Sequence, residues 1–197
     1  MSMDHFLKNT NGVVVCGGQS QRMGTDKSLL VYHNNPQRYH ICEMLGALCG
    51  NVFISCNESQ SLGIEGFNII KDDPAFSNTG PIAGLLSAFE KSEKDVLFIG
   101  CDYPYLTAEE LSKFKEKCTG SRPVVFYNEQ GYFEPLLGWY PYHCYERLIS
   151  MFQNREYSLQ HFLKEIDAVP YYPSVKKCMI SVDTEEEYLK AKEFWSE

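Results

Sequence analysis

Residues 15–30 read VCGGQSQRMGTDKSLL, and they emerge from a short β-branched apolar run, GVVVC at 12–16. The run has the length and branching of a buried strand, so the glycines fall where a strand ends and a helix is due. Such a loop is either a glycine-rich turn that binds nothing or a cradle for phosphates. It matches neither familiar phosphate template. A Walker A loop needs Gly-Lys-[Ser/Thr], whereas Gly24 is followed by Thr25 and the lysine arrives only at Lys27. A dinucleotide fingerprint needs G-x-G-x-x-G, and this loop offers Gly17, Gly18 and then Gly24. The physical ingredients are nevertheless present. Glycines let backbone N–H groups approach an anion, Arg22 offers a bidentate fork, and Lys27 offers a point charge.

The rest of the chain fits a sheet built around that first strand. Apolar runs at 52–56 (VFISC), 67–70 (FNII), 95–102 (DVLFIGCD) and 123–127 (PVVFY) predict further strands. Helical spacing predicts helices from Pro36 to near Gly50 and from Ile82 to Glu90. Thr107 with Glu110 reads as a capping box opening a helix through Lys117. The alternation is that of a mostly parallel sheet covered by helices. In the last third, 136–140 (LLGWY) and 178–182 (CMISV) read as strands, and 143–152 and 159–166 as helices. Thr184 with Glu187 caps a final helix ending at Trp195. With no repeat or low-complexity linker, the chain reads as one domain, residues 1–197.

Composition narrows the class. Net charge is −8, which disfavours nucleic acid and anionic membranes as partners and requires cations to be placed one by one around any phosphate. No stretch approaches the ~18 apolar residues of a membrane span, and the N-terminal segment MSMDHFLKNTNG lacks an apolar signal core. A cytoplasmic setting is expected. The eight cysteines include no C-x-x-C pair, so they read as buried free thiols and not as disulfides or a zinc site.

In open α/β sheets ligands bind beyond the carboxyl ends of the strands. Four features fall there: the 17–27 loop, Asp72-Asp73, the segment Gly80-Pro81-Ile82-Ala83-Gly84, and Asp102. Together they carry a resemblance. The segment Val15–Leu30 resembles the signature loop of the molybdenum cofactor guanylyltransferases, L-A-G-G-x-S-x-R-M-G-x-D-K. Gly17, Gly18, Ser20, Arg22, Met23, Gly24, Asp26 and Lys27 match it, with Val15 and Cys16 in place of Leu-Ala. Asp72 and Gly80–Gly84 resemble the family's aspartate and G-P-L-A-G, and Cys101-Asp102-Tyr103-Pro104 resembles its C-D-x-P metal turn. Glu134-Pro135-Leu136, Ser158–Leu163 and Val182-Asp183-Thr184 resemble weaker landmarks, so the likeness spans nearly the whole chain. Where the family often has an asparagine after the second strand, this chain has Ser55, with Asn57 two residues on.

The resemblance implies a Rossmann-like three-layer α/β/α sandwich of nucleotide-diphospho-sugar transferase type. It implies a nucleotide-binding part at about 11–118 and an acceptor-binding part at about 119–197. The implied reaction transfers GMP from GTP to the terminal phosphate of the molybdenum–molybdopterin cofactor and releases pyrophosphate. Molybdoenzyme maturation proteins would be onward partners. Arg22, Lys27 and Asp102 would be catalytic, with Asp102 holding Mg²⁺. Val15, Cys16, Gly17, Gly18, Lys27, Ser55 or Asn57, Asp72, Gly80, Pro81, Gly84 and Asp102 would bind the nucleotide. A phosphate nucleophile with a second pKa of about 6 is already ionised at neutral pH, so no Ser-His-Asp or Cys-His constellation is required. Two other readings are a relative that uses CTP or a sugar phosphate, and a noncatalytic nucleotide-binding module. The GPIAG segment argues against the first, and the pairing of Lys27 with a metal carboxylate against the second.

Overall fold

The computed structural model describes residues 9–16, 26–76 and 79–196 of the 197-residue chain. Its centre is β1 (Thr10–Val15), six residues all buried, as a strand covered on both faces must be. It is flanked in parallel by β2 (Asn51–Cys56) and β4 (Asp95–Gly100), and β3 (Asn68–Lys71) pairs in parallel outside β2. On the other side β6 (Phe133–Tyr140) runs antiparallel to both β4 and β5 (Val124–Tyr127), and β7 (Val169–Tyr171) lies parallel to β5. The order is β3-β2-β1-β4-β6-β5-β7. Because β6 is antiparallel to its neighbours, β4, β5 and β7 point the same way. All six parallel-directed strands therefore end at one rim.

Period-two alternation sorts the core into two layers. Val14, Ile54, Leu97, Ile99 and Trp139 face one side, where α1 (Gln37–Gly46) supplies Ile41 and Leu45 and α4 (Ala108–Lys115) supplies Leu111 and Phe114. Val13, Val15, Val96 and Phe98 face the other. There α3 (Pro81–Lys91) contributes Ile82, Leu85 and Phe89, α5 (Cys144–Gln153) contributes Leu148 and Met151, and α6 (Leu159–Glu165) contributes Phe162 and Leu163. This is the expected three-layer α/β/α arrangement. All eight cysteines are free and buried, as their spacing implied.

A third, small cluster sits at the rim itself. Tyr32, Tyr105, Val182 and Ala191 join there, and the last belongs to the final helix α7 (Glu185–Phe194). Trp195 Nε1 donates to the Pro104 carbonyl at 3.1 Å, and the Tyr188 hydroxyl donates to the Val31 carbonyl at 3.4 Å. The C-terminal helix is thereby tied to both the 30–32 and the 103–106 segments.

Two expectations are corrected. Residues 178–182 are not a strand: Lys176–Met179 is a 3₁₀ turn, and no ladder follows it. The run is apolar because Cys178 plugs the first core layer and Val182 the rim cluster, while Ile180 between them is 49% exposed. The actual last strand is Val169–Tyr171, whose three residues include Pro170. A proline is tolerated there because β7 is an edge strand. The second correction concerns the box at Thr107. Its hydroxyl does accept from the Glu110 N–H at 3.2 Å, but the Glu110 carboxylate turns inward to the Tyr171 hydroxyl at 2.7 Å and the Ser174 N–H at 3.0 Å. Only half of that box closes. The box at Thr184 and Glu187 closes in full.

Candidate active site at the carboxyl rim

After β1 the chain moves outward to β2 and β3, then returns through α3 to lay β4 on the opposite side of β1. The carboxyl ends of β1 and β4 therefore flank the topological switch point, where open α/β sheets leave a crevice. Cys16 and Asp102 follow those two ends. The Cys16 N–H donates to the Ser55 carbonyl at 2.9 Å and the Cys101 N–H to the Val15 carbonyl at 3.1 Å, which extends the sheet to its very edge. The Cys16 and Cys101 thiols hydrogen-bond beneath that edge, and this contact together with burial pushes the Cys101 thiol well up. Both behave as structural thiols. Gly17, Gly18 and Arg22 lie outside the described residues.

Asp102 is placed by a glycine. A Cβ on Gly100 would lie 2.6 Å from Asp102 Oδ1 and 3.1 Å from both Leu136 and Tyr103, so only glycine lets the carboxylate fold back over the strand end. Burial raises the Asp102 carboxyl above its ordinary range. Its own backbone N–H and the Lys27 ammonium oppose that rise, whereas Asp183 and Glu134 reinforce it. Lys27 opens a short 3₁₀ turn, Lys27–Leu29, capped by Asp26, whose Oδ1 accepts from the Ser28 N–H at 3.0 Å. Its ammonium is ion-paired with Asp183. The Val182 N–H donates to the Asp102 carbonyl at 2.9 Å, so the turn before α7 touches both Lys27 and Asp102. Sequence reasoning placed Asp183 and Glu134 only among the weaker landmarks. In the fold both lie close enough to act on Asp102, and Asp183 also holds Lys27.

The second pole of the rim lies beyond β2 and β3. Ser55 is buried at the end of β2 beside the Asp72 carboxyl, which burial raises and the Ser55 hydroxyl lowers. Asn57 has a different occupation. It caps the short helix α2 (Glu58–Ser61), its side chain accepting from the Gln60 N–H at 2.9 Å and the Ser59 hydroxyl at 2.7 Å. Of the two residues proposed to contact the base, Asn57 thus has its Oδ1 engaged in the cap. Gly84 explains part of the GPIAG motif: a Cβ there would come within 3.0 Å of the Ser55 hydroxyl and 3.4 Å of the Phe98 ring. The glycine lets α3 close onto β2. Gly80 is the N-cap of α3, Pro81 its first residue, and no side chain caps it. Pro81 has no N–H and the Ala83 N–H donates to the Gly80 carbonyl at 3.1 Å, so this end of an 11-residue helix offers the rim chiefly its dipole and the Ile82 N–H.

One contributor was missed entirely. Gln60 Nε2 donates to the Cys16 carbonyl at 2.9 Å and to Asp26 Oδ2 at 3.2 Å, bridging the two ends of the 17–25 segment. Its Oε1 accepts from the Asn57 N–H at 3.3 Å, which fixes the amide's orientation. The signal was available as Asn57-x-x-Gln60, the spacing of a capping box.

Asp102 suits a divalent cation: it is a buried carboxylate facing further negative charge, and Mg²⁺ habitually uses one or two carboxylates with water and substrate oxygens. Among the described residues no group of three or more His, Cys, Asp or Glu could hold a metal alone. Among the same residues no helix is long and apolar enough to cross a membrane.

Sheet order, layers and rim define the chain as an α/β protein of nucleotide-diphospho-sugar transferase type. It belongs to the MobA-like NTP transferase family, whose model matches residues 12–169. A molybdenum cofactor guanylyltransferase from Pasteurella multocida is 31% identical over 61% of this chain and 65% of its own length. A probable molybdenum cofactor guanylyltransferase from Bacillus cereus is 26% identical over 91% of this chain and 94% of its own. The chain spans only 38% of a molybdenum cofactor biosynthesis bifunctional protein from Synechocystis, to which it is 31% identical. The crystal structure of molybdopterin-guanine dinucleotide biosynthesis protein A from Archaeoglobus fulgidus superposes with a TM-score of 0.76 at 18% identity, covering 94% of this chain and 98% of that one.

Proposed function

We propose that this protein transfers the GMP moiety of GTP to the terminal phosphate of the molybdenum–molybdopterin cofactor. A phosphate oxygen of the acceptor attacks the α-phosphorus, the bond from that phosphorus to the bridging oxygen breaks, and pyrophosphate departs with the electron pair. The reading rests on one observation above the others: in a chain of the MobA-like NTP transferase family, the turn at Val182–Asp183 holds Lys27 and touches Asp102 at the switch point. The names of the Pasteurella and Bacillus relatives point to the guanylyl donor.

The residues divide the work by charge. Lys27 neutralises triphosphate oxygens, joined by Arg22 and by the positive end of the α3 dipole. Ser55, Asp72, Gly80, Pro81 and Gly84 form the nucleoside side, with Val15, Cys16, Gly17 and Gly18 lending backbone. Asp102 would hold Mg²⁺, which when bound supplies neutralisation of the phosphate oxygens. Alignment and charge then account for the rate, as expected for phosphoryl transfer without a general base. In this reading residues about 11–118 hold the nucleotide and about 119–197 the acceptor.

Incubation with Mg²⁺, molybdenum cofactor and GTP, CTP or ATP in parallel tests the assignment. Pyrophosphate and the guanine dinucleotide should appear with GTP. Equal or better use of CTP overturns it.

A further inference from the structure

A chain of hydrogen bonds leads away from Asp102 on the side opposite the nucleotide pole. Tyr103, next to Asp102, donates its hydroxyl to Glu134 Oε2 at 3.2 Å, and Asn128 Nδ2 donates to Glu134 Oε1 at 2.8 Å. Asn128 follows the last residue of β5, so the chain runs along the same rim and stops at a cavity of about 370 Å³. That volume lies within the range of small-molecule sites, roughly 300–1,000 Å³. Tyr127, Tyr172, Pro173 and Met179 wall it, and the ion-paired Glu129 and Lys176 stand at its mouth.

The wall is built in advance. Asn128 Oδ1 accepts from the N–H groups of Gln130 and Tyr132 at 3.1 and 3.0 Å, and the Tyr127 hydroxyl donates to the Gly131 carbonyl at 2.9 Å. These bonds fix the 128–132 turn and occupy its polar side chains. The groups left to recognise a ligand are therefore the ring faces and the Glu129–Lys176 pair. Tyr172 meets the Tyr127 ring edge-on at 5.7 Å and 73°, and it remains 68% exposed. An aromatic so exposed beside a cavity is the usual form of a stacking platform. In such a pair the carboxylate accepts from one atom of a ligand and the ammonium donates to its neighbour. That pair complements a ring edge carrying an amine beside a lactam oxygen.

We propose that this cavity takes the fused-ring end of the acceptor: a flat heteroaromatic lactam with an exocyclic amine, stacked on Tyr172 and edge-paired with Glu129 and Lys176. The acceptor's phosphate then lies toward Asp102 and Lys27. The proposal rests on the guanylyl-transfer reading for the acceptor's identity. Guanine has the same edge chemistry, but the proposed function assigns the nucleoside to the other pole, at Ser55, Asp72 and the α3 N-terminus.

Two measurements test it. In the first, a free pterin without phosphate, neopterin, is titrated into the protein and followed by its fluorescence. Wild type should bind and Tyr172→Ala should bind about tenfold more weakly, the scale of a lost base–aromatic stack. A wild type that ignores neopterin, or equal binding by both proteins, overturns the proposal. In the second, Tyr172→Ala should raise the KM for molybdenum cofactor severalfold while GTP binding is unchanged. A weakened GTP affinity instead would assign the cavity to the base and overturn it. Failure of wild type to make the dinucleotide at all would refute the guanylyl reading separately, because the neopterin titration needs no turnover. Lys176→Ala, an exposed substitution, guards against misfolding of the tyrosine variant and should weaken neopterin binding in the same direction.

Discussion

Lys27 and Asp183 form an ion pair across 156 positions of sequence. Lys27 leaves the loop that follows β1, and Asp183 immediately precedes the cap of the last helix, so the pair joins the two ends of the fold at the crevice. The side chains are 17% and 50% exposed, and a pair so accessible to water contributes little stability by itself. Its consequence is positional. The ammonium is held by the turn that also touches Asp102, where the proposed function puts the incoming triphosphate.

Lys27→Ala should therefore weaken GTP binding and transfer by about 1–3 kcal/mol, the scale of a charge-assisted contact. Isothermal titration with GTP, alongside steady-state pyrophosphate release, measures both effects. Thermal stability should change little, because the pair is half-solvated. Unchanged GTP affinity would leave Lys27 as a surface charge with no ligand role.

Asp102→Ala should abolish divalent-cation-dependent transfer and leave the fold intact. The carboxylate lies at a strand end and burial already disfavours its charge, so its removal relieves the folded state of a poorly compensated ion. A melting temperature equal to or above that of wild type, with no pyrophosphate release at any Mg²⁺ concentration, is the expected pair of results. Full activity would remove Asp102 from the metal role.

Local signals made the left half of the sheet legible. Each of β1 to β4 is a short run that leads within two residues into or ends at glycine, asparagine or aspartate (Gly17, Asn57, Asp72, Gly100), and the loop motifs sit at the ends of those strands. The right half was harder. β7 is three residues with a proline, and its place beside β5 depends on pairing across the sheet, which no local pattern records. Residues 178–182 mislead because burial in two separate clusters produces an apolar run without a strand. In the site, position alone offers Ser55 and Asn57 equally as base contacts, and the capping bonds of Asn57 to Ser59 and Gln60 emerge only once α2 is in view. Asp183 approaches Lys27 only after the whole chain has folded.

Gln60→Ala should raise the KM for GTP by roughly threefold to tenfold, the scale of about one net intramolecular hydrogen bond. Gln60 holds the Cys16 carbonyl and the Asp26 carboxylate together, so its loss frees the ends of the phosphate loop without removing a ligand contact. The turnover number should fall less than the KM rises. Gln60→Glu should be worse than alanine, because it sets a second carboxylate against Asp26. A variant with wild-type KM and a lowered melting temperature would show Gln60 to be structural only.

Glu110 offers a test of stability independent of function. It is 2% exposed, and its carboxylate receives the Tyr171 hydroxyl, the Ser174 N–H and the Ser174 hydroxyl. Burial alone would raise its carboxyl, but those hydrogen bonds outweigh it and hold the group below its ordinary value. A depressed folded-state value means stability that is fully present above the unfolded carboxyl's pKa, about 4.3, and is lost as pH falls through the folded one. Glu110→Ala leaves the Tyr171 hydroxyl and the Ser174 N–H without their acceptor and should cost about 1–3 kcal/mol at pH 7. Wild type should lose this contribution on acidification below about pH 4, so the gap between the two melting curves should narrow there. A gap that stays constant from pH 7 to pH 3 would mean the bonds act equally on the protonated acid. That outcome would sink the charge-based account while leaving the packing of α4 against β7 as its replacement.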